Sequence, residues 1–213
     1  AFVMWEYATA MLGYLMRVCP FDQPDVASAK AVVLEILNNG MTSPNYEQPY
    51  NKLLDLGAVE VRKSFPAYGD LHNTLKHLFE SIRPGDFFAI NAFLPFSGIE
   101  RRQALEDIRR SVAEKYGVPS CLEIGPRYLH STGQLQKGGA DNGVFLLISA
   151  DEPDDIALTQ EAASLGYLAK AQAVGDFTIL NERGRRCVHL HLPDNSGIAL
   201  RLLADIVEQA LGE

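Results

Sequence analysis

The sequence lacks the features that mark several classes of protein. Its 213 residues include only three cysteines, Cys19, Cys121 and Cys187, which are far apart and lie in apolar sequence. An odd number of dispersed cysteines does not build a disulfide framework, so we expect all three to be reduced and buried. No run approaches the roughly 20 apolar residues of a membrane-spanning helix, and the N-terminus lacks the pattern of a signal peptide. We therefore expect a cytoplasmic protein with no membrane partner.

Positive charge is scarce as well, because the formal net charge is −8. A nucleic-acid or anionic-membrane surface needs a dense positive face, so we expect neither partner. The sequence also contains no dinucleotide fingerprint and no phosphate-binding Gly-Lys-Ser/Thr loop, and we expect no cofactor. His189 and His191 share one face of a predicted strand and could be interpreted as a metal pair. No third ligand has suitable spacing, so we predict structural histidines and no metal.

An alternation of apolar strands and helices fills the second half of the chain. Strands that are apolar throughout, each followed by a helix, indicate a parallel sheet covered on both faces. We therefore predict an α/β fold for residues 85–213, a three-layer αβα sandwich with a mostly parallel sheet. The predicted strands are 87–94, 119–124, 143–149 and 186–192, and the predicted helices are 99–116, 129–137, 160–181 and 197–211.

Two helices are predicted before this domain. Residues 2–18 carry apolar side chains at three-to-four spacing, typical of a buried helical stripe. That helix begins with no capping residue, which favours a piece of a longer chain. The second helix starts at Pro24 and stops at Gly40. We divide the chain into an N-terminal helical segment at 1–40, a linker with connecting elements at 41–84 (a weak strand at 58–63 and a helix at about 70–81), and the αβα domain.

Ligands of such folds collect beyond the carboxyl ends of the strands. Three predicted loops lie there, at 95–98, 125–139 and 193–197, and the middle one has the most polar side chains. A helix start in that loop would offer free N–H groups, with Ser131 and Thr132 as caps, and Arg127 and Lys137 could help to hold a phosphate. The alternative is a capped turn with a structural histidine.

One segment near the N-terminus resembles a known signature. Phe21-Asp22-Gln23-Pro24-Asp25-Val26-Ala27-Ser28-Ala29-Lys30 resembles the C-terminal Phe-Asp-Gln-x-Gly-Val-Glu-x-x-Lys signature of glucose-6-phosphate isomerases. The resemblance implies that Lys30 contacts the sugar and assists ring opening, and that Gln23 belongs to the substrate site. Asp25 and Ala27 depart from the family, which has glycine and glutamate there. Spacing alone would favour a solvated surface lysine at Lys30.

A second segment looks like another part of the same family. Leu129-His130-Ser131-Thr132-Gly133-Gln134 is similar to the Leu-His-Ser-Met-Gly-Gln segment of bacterial glucose-6-phosphate isomerases. From the helix start and this resemblance together, we predict substrate-binding roles for the polar residues of the region, which are Arg127, His130, Ser131, Thr132, Gln134 and Lys137. The family has a glutamate shortly after this segment, where the present chain reads Gln136-Lys137-Gly138. We therefore expect no independent isomerase centre, with the catalytic base upstream.

Residues 125–139, 143–146 and 171–176 together resemble the C-terminal extension of the bifunctional transaldolase/glucose-6-phosphate isomerases. The resemblance implies interconversion of glucose 6-phosphate and fructose 6-phosphate by the full-length protein, with sugar phosphate and the upstream domains as partners. The resemblance is also compatible with a homo-oligomer. Two other interpretations remain open: a non-catalytic module that binds a phosphosugar or nucleotide effector, and a domain that serves only assembly.

Overall fold

The computed structural model describes residues 1–40, 50–53, 57–65, 70–95, 98–158 and 163–212, with only the backbone of 50–53 and 57–58. Parts of the predicted linker region (41–49, 54–56 and 66–69), residues 96–97 of the predicted loop and the predicted helix start at 160–162 lie outside these ranges. The strands are β1 (Tyr50–Leu53), β2 (Gly57–Lys63), β3 (Phe87–Phe93), β4 (Ser120–Ile124), β5 (Gly143–Ala150) and β6 (Arg186–Leu192). The helices are α1 (Phe2–Met16), α2 (Pro24–Asn39), α3 (Leu71–Glu80), α4 (Ile99–Tyr116), α5 (Gly133–Gly138), α6 (Leu165–Glu182) and α7 (Gly197–Gly212), with a 3₁₀ helix at Arg127–His130.

The strands form one sheet in the order β1-β2-β6-β5-β3-β4. The four strands β6, β5, β3 and β4 run parallel, and β2 joins the edge of β6 antiparallel. The predicted three-layer α/β sandwich with a mostly parallel sheet is therefore confirmed. The antiparallel edge formed by β1 and β2 was not predicted.

The central strands β3, β5 and β6 are mostly apolar because both of their faces are covered. On β3, Phe88 and Ile90 pack into the cluster formed with α3, α4 and α7, whereas Ala89 and Phe93 pack into the cluster under α6. The same alternation recurs on β5, where Leu146 and Leu147 face opposite layers. Burying both faces explains the continuous hydrophobic runs from which the strands were predicted.

The segments expected to precede the αβα domain contribute to it. Strand β2 pairs with β6, and α3 packs against α7 on one face of the sheet. Helix α2 packs against α6 on the other face through Ile36, Ala171 and Val174. Gly175 permits this close approach, since a Cβ there would lie 2.8 Å from Cγ2 of Val33. The expected division at residue 84 therefore does not coincide with a break in packing.

Helix α1 differs from its prediction. Its apolar stripe was expected to be buried, but Gly13 is its only buried residue, and Trp5 is 70% exposed. A helix that is apolar on nearly all sides needs partners on several faces, but in the structure only Gly13, which lies against the Pro20 ring, is fully covered. In the part of the chain that the structure describes, no helix is long and apolar enough to cross a membrane.

The three cysteines differ in their surroundings. Cys187 is buried and Cys121 is partly buried, but Cys19 is exposed, so the expectation of burial is wrong for Cys19. Burial raises the pKa of Cys121 to about 11 and that of Cys187 to about 12. Because the thiolate is the nucleophilic form, both of these thiols are unreactive near neutral pH.

Candidate functional site

The sheet contains a point where the order of strand addition reverses. Strand β4 lies on one side of β3, and the next strand along the chain, β5, lies on the other side. Open α/β sheets bind ligands in the crevice that such a reversal creates at the carboxyl ends of the strands. A cavity of about 400 Å³ occupies this position, and we call it the switch-point cavity. Its walls include Leu94, Gly125, Glu152 and Gly166.

A neighbouring cavity of about 340 Å³ lies between α2, α6 and the 3₁₀ helix, and it shares Pro126 with the switch-point cavity. We call it the Lys30 cavity. Its walls are mostly apolar, and Lys30 and His130 are its polar members together with Gln172. Lys30 and His130 are both exposed at the surface of the described residues. The two segments that carry the family resemblance therefore meet at one cavity, although they are far apart in the sequence.

A pair of hydrogen bonds holds these two segments together. The Gln134 Nε2 amide donates to Asp25 Oδ2 at 2.6 Å, and the Asp25 backbone N–H donates to Gln134 Oε1 at 3.1 Å. The other Asp25 oxygen pairs with Arg183 at 2.5 Å. Asp25 is only 4% exposed. The residue that departs from the family's glycine thus anchors α2 to α5, and Gln134 has a structural contact in this chain.

Replacing Gln134 with alanine is expected to destabilise the protein by about 1 to 3 kcal/mol, because the buried Asp25 carboxylate then loses a hydrogen-bond donor. Urea unfolding would measure the loss. Gln103→Ala, on an exposed side of α4, is the matched control, with an expected change of no more than about 0.5 kcal/mol. Equal losses in the two variants would contradict the anchoring role.

The other predicted residues of the 125–139 loop have separate environments. Ser131 Oγ donates to the Tyr128 carbonyl at 3.3 Å, and Thr132 Oγ1 donates to Glu123 Oε1 at 3.2 Å. Neither hydroxyl caps α5, contrary to expectation, and α5 spans only six residues. Arg127 is exposed. Gln23 is the exposed N-cap of α2, and its side chain makes no capping hydrogen bond.

Lys137 does not occupy the position that a phosphate ligand would require. Its side chain is completely buried and forms an ion pair with the equally buried Asp176, and its Nζ donates to the Gly133 carbonyl at 3.3 Å. Tyr128 Oη donates to the same carboxylate at 2.5 Å, and burial and the Asp176 charge raise the pKa of Tyr128. The expectation that Arg127 and Lys137 hold a phosphate together is therefore corrected for Lys137. Its ammonium group lies in the protein interior and is paired with Asp176.

The paired histidines of β6 are buried and hydrogen-bonded. His189 and His191 both contact Ser149 of β5, at 2.8 Å each. Among the described residues, no group of three or more potential ligands is arranged for a metal ion. The sequence patterns did not identify Ser149 or Asp176, the partner of Lys137. The one signal that could have identified them is a polar residue in the middle of an apolar strand or helix.

The fold and the cavities define a three-layer α/β protein with ligand-sized cavities beside its topological switch point. No family model matches the chain, and no curated protein matches it. A similar solved structure is the crystal structure of the hypothetical protein TT0462 from Thermus thermophilus, with a TM-score of 0.56 and 18% sequence identity. The match covers 66% of this chain and 38% of that one. At this identity, the likeness concerns the fold.

Proposed function

We propose that this chain is the C-terminal part of a glucose-6-phosphate isomerase, in a cytoplasmic protein that also carries a transaldolase. The observation that carries the proposal is the Lys30 cavity. Lys30 and His130 come from the two segments that resemble the isomerase family, and both line this cavity. The cavity depends on how α2, α6 and the 3₁₀ helix pack, whereas the resemblance depends on the sequence alone, so the agreement between the two supports the assignment.

The chemistry of the Lys30 cavity suits the opening of a sugar ring. The Lys30 ammonium can donate a hydrogen bond to the ring oxygen, and the His130 imidazole can bind a sugar hydroxyl. When a sugar fills the cavity, the apolar walls lower the local dielectric, which strengthens both interactions. The base that transfers a proton between C2 and C1 belongs to the upstream part of the protein in this proposal. The isolated chain is accordingly inactive, and no cofactor is needed.

A second candidate function is a non-catalytic phosphosugar-binding or assembly domain. The exposed apolar surface of α1 favours the assembly interpretation, since apolar patches of this kind mark interaction sites. The burial of Lys137 also removes one of the two cations proposed for phosphate binding. Under this alternative, the upstream domains carry out catalysis without Lys30.

Lys30→Ala in the full-length protein is expected to lower isomerase kcat/KM by about tenfold or more, because a hydrogen bond from a charged group is worth about 1.5 to 3 kcal/mol. A coupled assay of fructose 6-phosphate conversion would measure it. Lys115→Ala, on an exposed position of α4, is the control and should leave turnover unchanged. Unaltered kinetics in Lys30→Ala would refute the catalytic role of Lys30 and favour the assembly domain.

A further inference from the structure

A chain of polar side chains crosses the otherwise apolar interior of the sheet. Ser149 Oγ lies 2.8 Å from His189 Nε2 and 2.8 Å from His191 Nδ1. All three side chains are at most 2% exposed. The arrangement follows from strand register, because Ser149 pairs with His191, and His189 lies two residues away on the same face of β6. The hydrogen bonds continue from His189 to Arg62 on β2 and from His191 to Asp151 after β5. We call these five residues the histidine relay.

The partners at the two ends of the relay determine where its protons lie. Arg62 can only donate, so its bond of 3.1 Å requires His189 Nδ1 to be the acceptor. In the neutral ring His189 Nε2 then carries the hydrogen and donates to Ser149, whose own hydroxyl proton is free to donate to His191 Nδ1. His191 Nε2 therefore donates to Asp151 Oδ1 at 3.0 Å. Every bond in the relay points in one direction, towards Asp151.

The relay reaches the surface at a third cavity, of about 350 Å³, which shares Glu152 and Asp155 with the switch-point cavity. We call it the relay cavity. Asp151 is 69% exposed there, whereas the His191 ring beneath it is buried. Lys170 stands on the same wall and pairs with Glu60 at 2.9 Å. The carboxylates of Asp151, Glu152 and Asp155 line this cavity together with Lys170 and His191.

Such a network is not needed for stability. Burying polar groups in a sheet costs free energy that hydrogen bonds only offset, and well-packed apolar residues in their place are often at least as stable. The relay also holds its histidines neutral, since burial lowers the pKa of both rings. Buried titratable groups that end at a cavity are characteristic of ligand sites. The Asp151–His191 pair is thus a preorganised hydrogen-bonding group at the floor of the relay cavity.

We propose that the relay cavity binds a neutral polyhydroxylated molecule, such as an unphosphorylated sugar or polyol, through Asp151 and Lys170. A hydroxyl group both donates and accepts hydrogen bonds, so it suits a wall that offers carboxylate acceptors beside an ammonium donor. An anionic ligand would face the carboxylates of Asp151, Glu152 and Asp155, while Glu60 already neutralises Lys170. This site is separate from the Lys30 cavity and does not depend on the proposed isomerase function.

The test uses histidine ring NMR on the ¹⁵N-labelled chain, with D-glucose and sorbitol as probes and His191→Gln to assign the resonances. Both probes are expected to shift the His191 resonances saturably. Asp151→Ala should weaken binding by about tenfold, because it removes a charged hydrogen-bond acceptor. Asp154→Ala, which lies outside the relay cavity, is the matched control and should bind as the unaltered chain does.

Each other outcome overturns the proposal. If neither probe shifts the His191 resonances saturably, the cavity is not a polyol site. If Asp151→Ala and Asp154→Ala bind the probes equally well, Asp151 does not contact the ligand. Tighter binding of glucose 6-phosphate than of glucose at the His191 resonances would indicate an anion site. Binding of glucosamine ten times tighter than that of glucose would indicate a cation site. Because the readout is binding near His191, none of these results bears on turnover that depends on Lys30.

Discussion

Lys137→Met is expected to destabilise the protein by about 3 to 5 kcal/mol, the usual cost of leaving a buried charge without its partner. Lys137 and Asp176 are both fully buried and ion-paired. Methionine has nearly the length of lysine, so the variant removes the charge with little change in volume. The Asp176 carboxylate would then keep only the hydrogen bond from Tyr128. Chemical denaturation at neutral pH, evaluated at a common temperature, measures the difference.

A second variant distinguishes the loss of charge balance from a simple packing defect. Adding Asp176→Asn to Lys137→Met removes the stranded charge but keeps an acceptor for the Tyr128 hydroxyl. The double variant is therefore expected to recover more than half of the lost stability. Lys115→Met, at an exposed position on α4, is the control, with a change within about 0.5 kcal/mol. A double variant less stable than Lys137→Met would show that the ion pair is not the cause.

Lowering the pH from 7 towards 5 is expected to destabilise the protein through His189 and His191. Burial and then the Arg62 charge lower the pKa of His189 well below 6.5, and burial and then Lys170 lower that of His191, with Asp151 opposing. Below pH 6.5 the unfolded chain therefore binds protons that the folded chain does not. The stability that the neutral histidines contribute is fully present above pH 6.5. It decreases as the pH falls towards the folded pKa values, by up to about 1.4 kcal/mol per pH unit for each histidine.

Urea unfolding between pH 5 and pH 8 measures this dependence. His191→Gln should reduce the slope below pH 6.5 because it removes one titrating ring, whatever its effect on the absolute stability. Gln103→Ala, at an exposed position of α4 that carries no titratable group, should leave the slope unchanged. The window lies above the range in which Asp86 titrates, since its ion pair with Arg186 contributes stability that is lost only below pH 4. A free energy of unfolding that stays constant between pH 5 and pH 7 would show that the two histidines are not held neutral by burial.

The sheet was predictable because its signal is local. The central strands β3, β5 and β6 are buried on both faces and therefore mostly apolar, and helix boundaries such as Ile99–Tyr116 agree with the prediction. The antiparallel strand β2 gave a weaker signal, since Glu60 and Arg62 lie among its apolar residues. Those side chains are explained only by their partners, Lys170 on α6 and His189 on β6.

The site was predictable only in part. A match to a motif could single out Lys30 and His130, but not that both line one cavity, since this depends on how α2 packs against α6. Reasoning from residue type and from a predicted helix start assigned Lys137 to a phosphate. Its partner Asp176 lies on a different helix, and no spacing along the chain indicates that the two meet inside the protein.

The sequence by itself determined the number, type and order of the central strands and helices, because these depend on hydrophobic periodicity over a few residues. The tertiary structure alone decided which polar side chains face a cavity and which are buried in pairs. That outcome depends on contacts between residues far apart in the chain, such as Gln134 with Asp25. The burial of a charged side chain is a property of its neighbours in space, and the linear sequence does not specify them.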